Sequence, residues 1–445
     1  MGKTILVAGA GHGGLAVAAD LARKGYDVTL LEKKAEEALG YDWTDIFAPQ
    51  SLIAAGVPYP SRSLYSYKEN MTFFPPAQSV TLTQNVPQDE REIKMERRDI
   101  YAHLVAHAKR CGVKFRFETP VTAPLLLGSR VCGVLAGEEK LYADLVIDAC
   151  GMDSPLRSAL PQVCGVEPEI GANNTAFVYR AFFARTGDFT PAHSYEVYVL
   201  HQGRQEIAWV ATEDDYADVL IVRFAPFGED EVQQALADLR RTNPHIGEEI
   251  VRGGQFAKIP VRQPLSQMVA DGYAALGDSA FMTVPLIGSG IANALKASHI
   301  LSRTVTDDKD CAFTAETLWK YQVGYFKLLG AGYAAMTCLK NALLSMEPAE
   351  VDFLFERGIL TEDQITITAN TTNLQSMMKM SVKDLVDRAK KVCTDKILLT
   401  KILRIASQIA SATALCAMMP HTWATQNVRK WVANYNAFFA KQQKG

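Results

Sequence analysis

The chain has 445 residues, a length that predicts two or three packed domains rather than one. Hydrophobic residues make up 48% and charged residues 21%, and the formal net charge of −3 gives no sign of the excess of cations that is typical of nucleic-acid binders. The eight cysteines form no C-x-x-C pair, so the sequence shows no local zinc or iron–sulfur site, and isolated thiols are typical of a reducing compartment. We expect a cytoplasmic protein with no metal site and no nucleic-acid partner.

The first elements in chain order predict a βαβ unit. An apolar strand at residues 5–8 leads directly into a cluster of glycines, a helix rich in Ala and Leu covers 15–24, and a second strand at 28–31 closes on Glu32. The next segment, residues 40–96, is rich in proline. We interpret it as an irregular excursion that lines a site, because structureless segments of this length are uncommon inside compact domains.

In the rest of the chain the spacing of the hydrophobic residues changes twice. Alternating apolar and polar residues typical of an antiparallel sheet separate two parts with buried-strand patterns, and the C-terminal part is helical in pattern. In chain order the patterns predict a helix at 99–111, strands at 113–117 and 145–147, an antiparallel sheet over 166–264, a strand at 273–276 and helices over 314–445.

The glycine cluster has the spacing of a dinucleotide-binding turn. Gly9 permits a tight turn out of the strand, Gly11 lets the backbone approach a pyrophosphate, and Gly14 lets helix and strand pack closely. The helix N-terminus then presents free N–H groups to phosphates, and Glu32 accepts hydrogen bonds from ribose hydroxyls. The residues assigned to the cofactor from this unit are Gly9, Gly11, His12, Gly13, Gly14, Glu32 and Lys33.

A second glycine-bearing motif favours FAD over NAD. It contains Gly277 and Asp278 after a late strand, then Gly288, Gly290 and Ile291 at the opening of a helix. The acid accepts hydrogen bonds from hydroxyls of a long cofactor already held by the first motif. The glycines let a helix N-terminus approach a flat ring, where its dipole stabilises negative charge. We assign these five residues to an FAD site.

Two further segments lie between these motifs. The strand at 145–147 ends near Gly151, followed by Ser154 and Arg157 one helical turn apart. Arg97 stands at a predicted helix start, where its side chain holds the cofactor's phosphates, faces the flavin or is simply solvated. We assign Gly151 and Arg97 to the cofactor site.

The four segments in this order resemble the FAD-dependent superfamily that includes para-hydroxybenzoate hydroxylase and geranylgeranyl reductase, over roughly residues 1–305. The sequence is more similar to the geranylgeranyl reductase branch in its second motif. Cys150 stands where hydroxylases usually have the acid of an Asp-Gly pair, and Phe281 stands where they tend to have His. The cysteine-containing turn of the reductase branch is replaced by residues 40–43.

The resemblance implies an α/β + β fold: a Rossmann-like FAD-binding domain, an inserted antiparallel-sheet substrate domain and a helical C-terminal extension. The FAD-binding domain is assigned to residues 1–60, 96–165 and 265–310, the substrate domain to 61–95 and 166–264, and the helical domain to 311–445.

The implied activity is reduction of a carbon–carbon double bond in an apolar, isoprenoid-like or polycyclic substrate, by hydride transfer from reduced flavin. NADPH or NADH is expected as a transient electron donor. Three alternatives stay open: a flavin-dependent aromatic monooxygenase, an electron-transfer flavoprotein that feeds quinone, and a non-catalytic flavin-binding module.

Tyr41, Asp42 and Trp43 are the predicted catalytic residues, with Tyr41 or Asp42 donating a proton while Trp43 packs against the substrate or closes a loop onto the core. The longest uncharged run, between Arg404 and His421, falls short of the ~20 residues that span a bilayer. The C-terminal helices form either core or a tunnel and a peripheral membrane contact. Their Met and aromatic residues include Tyr321, Tyr325, Phe326, Tyr333, Met336, Met377, Met378, Met380, Met418 and Met419.

Overall fold

The computed structural model describes residues 3–168, 174–369, 392 and 395–442. We number the strands of this described part as follows: β1 Thr4–Ala8, β2 Asp27–Leu31, β3 Thr44–Phe47, β4 Tyr65–Tyr67, β5 Thr72–Phe74, β6 Leu82–Thr83, β7 Ile93–Glu96, β8 Lys114–Arg116, β9 Val121–Leu127, β10 Arg130–Ala136, β11 Glu139–Tyr142, β12 Leu145–Asp148, β13 Thr175–Arg185, β14 Tyr195–Val199, β15 Glu206–Thr212, β16 Tyr216–Arg223, β17 Ile246–Pro260, β18 Val269–Ala270 and β19 Tyr273–Ala275.

The α-helices of the same residues are α1 His12–Arg23, α2 Gln50–Ala54, α3 Arg97–Arg110, α4 Pro155–Ser158, α5 Glu229–Thr242, α6 Ile291–Asp307, α7 Ala315–Tyr325, α8 Ala331–Leu344, α9 Pro348–Glu356, α10 Glu362–Ala369, α11 Lys396–Ala417 and α12 Thr425–Gln442. A π-helical turn, Phe326–Gly330, joins α7 to α8.

The first domain is built on a six-stranded sheet in the order β18-β19-β12-β1-β2-β8. All neighbouring pairs are parallel except β18 and β19. The four central strands are apolar and almost fully buried, as expected for a parallel sheet covered on both faces. Helix α1 packs along α6, and Ser302 of α6 donates a hydrogen bond to Asp20 of α1 at 2.7 Å.

The second sheet has seven strands in the order β17-β13-β16-β15-β14-β5-β6. It is antiparallel except for β5, which pairs with β14 in parallel. Side chains of one face, including Tyr179 and Val219, pack against Leu236 and Leu239 of α5. The opposite face carries Val178 and Phe182, which pack against Trp43, the residue just before β3.

The predicted irregular excursion at 40–96 is more ordered than its composition indicates. It contains α2 and the five strands β3–β7, and β7 pairs with both β3 and β4. Its prolines lie between the strands, where the missing N–H is not needed for pairing. The prediction of irregular structure was therefore wrong for α2 and these five strands; the strands were missed because they are short and their pairing partners are distant in sequence.

The C-terminal helices share the core of the first domain. Tyr321 of α7 donates to the carbonyl of Ala275 at 2.9 Å, and Tyr435 of α12 donates to the carbonyl of Pro264 at 3.2 Å. Of the predicted Met and aromatic set, the buried members are Tyr321, Tyr325, Phe326, Tyr333, Met336 and Met419, and Met418 is exposed. Met377, Met378 and Met380 lie outside the described residues. The described members therefore form core, with the exception of Met418.

Candidate functional site

All the cofactor motifs follow the carboxyl ends of neighbouring parallel strands. Gly9 follows β1, Glu32 follows β2, Gly151 lies three residues beyond β12, and Gly277 with Asp278 comes shortly after β19. Because β19, β12, β1 and β2 are consecutive in the sheet, these residues stand in one row along one edge. Ligands of open α/β sheets bind at this edge.

Steric contacts separate the glycines needed by the fold from one that leaves room for a ligand. A Cβ on Gly9 would lie 2.3 Å from the carbonyl oxygen of Ala149, at a φ of +100°, and a Cβ on Gly14 would lie 2.3 Å from the carbonyl oxygen of Gly9. A Cβ on Gly11 would meet the carbonyl oxygen of Ala149 only at an ordinary 3.6 Å. The protein itself does not require glycine at position 11, whereas a pyrophosphate lying against the turn does.

The two helix starts that carry the glycine motifs are in direct contact. The Cβ position of Gly13 in α1 is 3.1 Å from the Cβ of Ala294 in α6 and 3.2 Å from the Leu276 side chain. The Cβ position of Gly277 is 3.7 Å from the same Ala294 Cβ. The turns of both motifs therefore lie side by side at this edge of the sheet, and we call the space beside them the groove.

Glu32 and His12 face this groove from the first motif. The Glu32 carboxylate accepts hydrogen bonds from the backbone N–H of Ala10 at 2.8 Å and of Lys34 at 2.9 Å, which fixes its orientation beside the glycine turn. His12 is half-buried, its Nε2 has no partner among the described residues, and burial together with Arg97 lowers its pKa to about 4. Its imidazole is therefore neutral near pH 7. Lys33 is exposed at the same strand end.

Asp278 lies on the floor of the groove. Its Oδ1 accepts a hydrogen bond from Thr283 at 2.7 Å, and the side chain remains accessible. Burial raises the pKa of Asp278 even though hydrogen bonding and Arg97 act in the opposite direction. Tyr101 of α3 lies within electrostatic range of both Asp278 and Glu32, and burial raises its pKa to about 12. Sequence reasoning did not single out Tyr101, because it has no motif of its own.

The opening of α6 completes the second motif. Gly288 has a φ of +68°, and its Cβ position is 3.6 Å from Ile259 near the end of β17. A Cβ on Gly290 would be 3.0 Å from the Thr283 hydroxyl oxygen. Ile291, the first residue of α6, is buried. The loop thus connects the cofactor groove to the seven-stranded sheet.

A buried carboxylate that the sequence analysis did not assign ties the strand ends together. Asp148 accepts hydrogen bonds from Ser154 at 2.5 Å, from Tyr273 at 2.7 Å and from Ser279 at 2.9 Å. The backbone N–H of Gly151 in turn donates to the Ser279 hydroxyl at 3.0 Å. Asp148 therefore holds the turns after β12 and β19 in one geometry. The Cβ position of Gly151 meets no atom within 4 Å, so this turn faces open space.

Phe281 lies between two buried guanidinium groups. The Arg157 and Arg262 guanidinium carbons are 4.7 and 4.6 Å from its ring centroid. Arg157 donates to the carbonyl of Ser279 at 2.8 Å, and Arg262 forms an ion pair with Glu167 at 2.7 Å. Phe281 is fully buried in this arrangement and belongs to the core.

Arg97 has a protein partner in place of the solvated state that its sequence context allowed. It forms a bidentate ion pair with Asp45, at 2.5 and 2.6 Å. Burial opposes ionisation of both groups, but their mutual attraction lowers the pKa of Asp45 and raises that of Arg97. The pair lies between His12 and the aromatic rings of Tyr41 and Trp43, which are 5.3 and 5.6 Å from the guanidinium.

The three residues predicted to be catalytic have different surroundings. The rings of Tyr41 and Trp43 stack at 4.9 Å between centroids. Tyr41 is 38% exposed, and Trp43 is buried against Val178 and Phe182 of the seven-stranded sheet. Asp42 is exposed and interacts with Arg252 at 3.5 Å.

A buried arginine anchors Trp43 to the seven-stranded sheet. Arg180 pairs with Asp218 at 2.5 and 2.8 Å and donates to both the carbonyl and the hydroxyl of Thr44 at 2.7 Å. Its guanidinium is 5.8 Å from the Trp43 ring and 5.2 Å from the Trp209 ring. The stacked rings of Tyr41 and Trp43, together with Arg180 and the adjoining sheet face, form what we call the aromatic wall.

The cofactor is settled by a family match. A model of the FAD binding domain family matches residues 3–306 of this chain. The chain belongs to this family. FAD is its cofactor, and the predicted FAD-dependent oxidoreductase class and α/β + β fold are confirmed.

Named relatives and solved structures agree with the predicted branch. Digeranylgeranylglycerophospholipid reductase of Haloferax volcanii is 27% identical over 333 residues, which cover 67% of this chain and 75% of the relative. The enzyme of the same name from Sulfolobus acidocaldarius is 21% identical and covers 94% of this chain and 93% of its own. A geranylgeranyl bacteriochlorophyll reductase-like protein from Thermoplasma acidophilum superimposes with a TM-score of 0.71 at 16% identity, over 91% of this chain and 99% of that one.

A second group of similar structures belongs to other flavoproteins. PqsL of Pseudomonas aeruginosa, described as a probable FAD-dependent monooxygenase, has a TM-score of 0.59 at 19% identity, over 80% of this chain and all of its own. At this identity the likeness shows the fold alone.

The groove fits FAD on its own evidence. The open side of Gly11, the unpartnered Nε2 of His12 and the accessible carboxylate of Asp278 all border it. Glu32 would hold the adenosine ribose, Gly11 and the α1 N-terminus the pyrophosphate, Asp278 the ribityl chain, and the α6 N-terminus the ring. Within the described ranges, no group of three His, Cys, Asp or Glu residues is placed to hold a metal ion.

Proposed function

We propose that the protein reduces a carbon–carbon double bond of an apolar, isoprenoid-like substrate. The observation that carries this proposal is the aromatic wall, in which the Tyr41 ring is 38% exposed and stacks on Trp43, itself buried against Val178 and Phe182. An exposed aromatic ring on a rigid apolar support recognises a hydrocarbon by the apolar area that it buries rather than by hydrogen bonds. The printed names of the relatives, reductases of geranylgeranyl lipids, support the same class.

Reduced FAD, when bound, supplies the hydride for such a reaction. The chain's own groups do the rest. Backbone N–H groups at the start of α6, beside Gly290, stabilise negative charge on the ring. Trp43, buried against the sheet face, excludes water behind the exposed Tyr41 ring and holds that ring in place.

The proton is assigned to Tyr41. Of the two proposed donors, Asp42 is a carboxylate engaged by Arg252 and by the backbone N–H of Gly253, and it acts as an acceptor in both contacts. Tyr41 is 38% exposed, and Lys34 and Arg97 lie 5.6 and 5.3 Å from its ring. These cations stabilise the negative charge that remains after Tyr41 has given its proton to the substrate carbon.

The test is anaerobic. The purified yellow protein is bleached with NADPH, NADH or dithionite and then mixed with a digeranylgeranyl lipid. We expect bleaching by a nicotinamide, recovery of the flavin absorbance with the lipid, and a product that has gained two hydrogen atoms per double bond reduced. Gain of an oxygen atom in the presence of air would instead assign a monooxygenase, and recovery only with quinone would assign an electron carrier.

Tyr41→Phe isolates the proton step. We expect the flavin to bind and to be reduced normally, while recovery with the lipid slows by about a hundredfold, within the range of general acid catalysis. Asp42→Asn is the matched control from the same turn and should change recovery by less than about threefold. Equal slowing in both variants would assign the effect to the position of the turn and exclude Tyr41 as the acid.

A further inference from the structure

Helix α11 combines an apolar composition with an exposed side. It is 22 residues long, and only 11% of its most apolar window is buried. Its inner side packs through Leu398, Ala412 and Leu415. We define its outer face by Ile397, Leu403 and the following Met418, which are 72, 58 and 66% exposed, and by the exposed cations Lys396 and Arg404.

The outer face itself carries two cations and no acid, although Asp395 caps the start of α11. After Asp395 the sequence contains seven Lys and Arg residues and no Asp or Glu, in a chain whose overall formal charge is −3. Lys401 of α11 is paired with Glu350 at 2.5 Å. Among the residues that the structure describes, no ion pair joins Lys396 or Arg404 to an acid. The outer face is therefore basic as well as apolar.

Apolar side chains flanked by cations are typical of a helix that lies in the interface of an anionic membrane, where the apolar groups enter the headgroup boundary and the cations meet lipid phosphates. We propose that the outer face of α11 docks this protein onto an anionic lipid surface as a peripheral protein. The inference does not depend on the substrate assigned above.

Two other arrangements fit the same face less well. By length and composition α11 is long enough to cross a bilayer, which the shorter uncharged run in the sequence did not predict. Its inner side, however, is packed on α8, with Cys338 donating to the carbonyl of Gln408 at 3.8 Å and Lys401 paired with Glu350. Insertion across the membrane would break these contacts. A symmetric contact between two copies would bring like charges together at Lys396 and Arg404.

The docked orientation places the substrate end of the protein near the lipid. Helix α8 lies under α11, and Lys340 of α8 donates to the carbonyl of Val261 at 2.9 Å, just beyond β17. Ile259 of β17 is the residue that approaches Gly288 of the cofactor loop. Helices α11 and α8 therefore lie between the proposed lipid surface and the end of the groove that would hold the flavin ring.

The experiment is co-sedimentation of the FAD-loaded protein with vesicles of phosphatidylcholine alone or with phosphatidylserine. We expect binding only with phosphatidylserine, reversed by salt at about 0.5 M because the ionic contacts are screened. Lys396→Gln with Arg404→Gln should weaken binding by about tenfold or more. The control, Lys114→Gln with Lys140→Gln, removes the same charge from exposed positions on β8 and β11 and should leave binding unchanged.

A second pair of variants tests the apolar contribution. Ile397→Gln with Leu403→Gln should also weaken binding to the anionic vesicles, with flavin content and flavin reduction unchanged. The proposal is overturned if the wild type ignores anionic vesicles, or if the charge variant and its control bind equally. Retention of the protein in the membrane after high salt and carbonate would assign a spanning helix. A dimer in solution that only Ile397→Gln with Leu403→Gln dissociates would assign the face to a second copy.

Discussion

The cofactor edge and the aromatic wall face each other but are specified in different ways. At the edge, positions are set by the backbone: strand ends, a φ of +100° at Gly9, and a contact of 2.3 Å that only hydrogen can occupy at Gly14. At the wall, positions are set by long side chains that meet from distant parts of the sequence, as when Arg180 reaches Thr44 and Trp43. At the edge, Gly9 and Gly14 leave no room for a side chain, whereas the wall can be rebuilt with other residues to suit another substrate.

This difference explains why one fold serves several reactions among flavoproteins. A backbone-defined edge binds the same long cofactor each time, and the facing wall determines what enters. The following variants separate the two contributions.

Gly9→Ala and Gly11→Ala distinguish the needs of the fold from those of the ligand. The first introduces a Cβ 2.3 Å from a backbone oxygen, and we expect a loss on the order of 5 kcal/mol in the free energy of unfolding. The second has room, so the apoprotein should keep its stability while FAD affinity falls by about a hundredfold. Chemical unfolding and FAD titration measure both. A stable Gly9→Ala protein would contradict the steric argument.

Arg180→Met tests whether the wall can be changed without the edge. The variant leaves Asp218 buried and unpaired, which should cost about 4 kcal/mol of stability, and the double variant Arg180→Met with Asp218→Leu should recover most of it. Flavin content per folded molecule should be unaffected in both. Loss of FAD from the stable double variant would show that the wall and the edge are not separable.

Asp278→Ala tests one contact between the cofactor edge and FAD. Removing a carboxylate that accepts hydroxyl hydrogen bonds should weaken FAD binding by about thirtyfold. Thr283→Val removes only the 2.7 Å hydrogen bond that orients this carboxylate and should weaken FAD binding by about fivefold. Titration of the apoproteins with FAD gives both numbers. The reverse order of effects would mean that Asp278 does not contact the cofactor.

The smallest expected effect is that of His12 on the free energy of unfolding at acidic pH. Its pKa of about 4 lies below the 6.5 of the unfolded chain, so the unfolded state binds the proton first as the pH falls. Between pH 7 and 5 this histidine should remove about 2 kcal/mol of stability, a loss that His12→Gln should not show. Urea unfolding of both apoproteins at the two pH values measures the difference. Parallel losses in both would show that His12 is not the group responsible.

The parts of the site that the sequence predicted are those with a local cause. The glycines, Glu32 and Asp278 each follow a strand end in a recognisable order, and the parallel sheet then brings them together. The partners of Arg97 and Arg180 are 52 and 38 residues away, so no local pattern predicts them. Asp148 escaped notice because its role depends on Tyr273 and Ser279, which pack beside it only in the folded sheet.

The direct contact between Gly13 and Ala294 has a consequence for biosynthesis. The N-terminal βαβ unit leaves the ribosome first, but the second motif of the cofactor site follows β19 and opens α6, which begin 242 and 260 residues after β2 ends. A nascent or truncated polypeptide that stops before α6 has the pyrophosphate turn but lacks the helix start that would hold the flavin ring. Yellow colour in a cell extract therefore reports translation through α6.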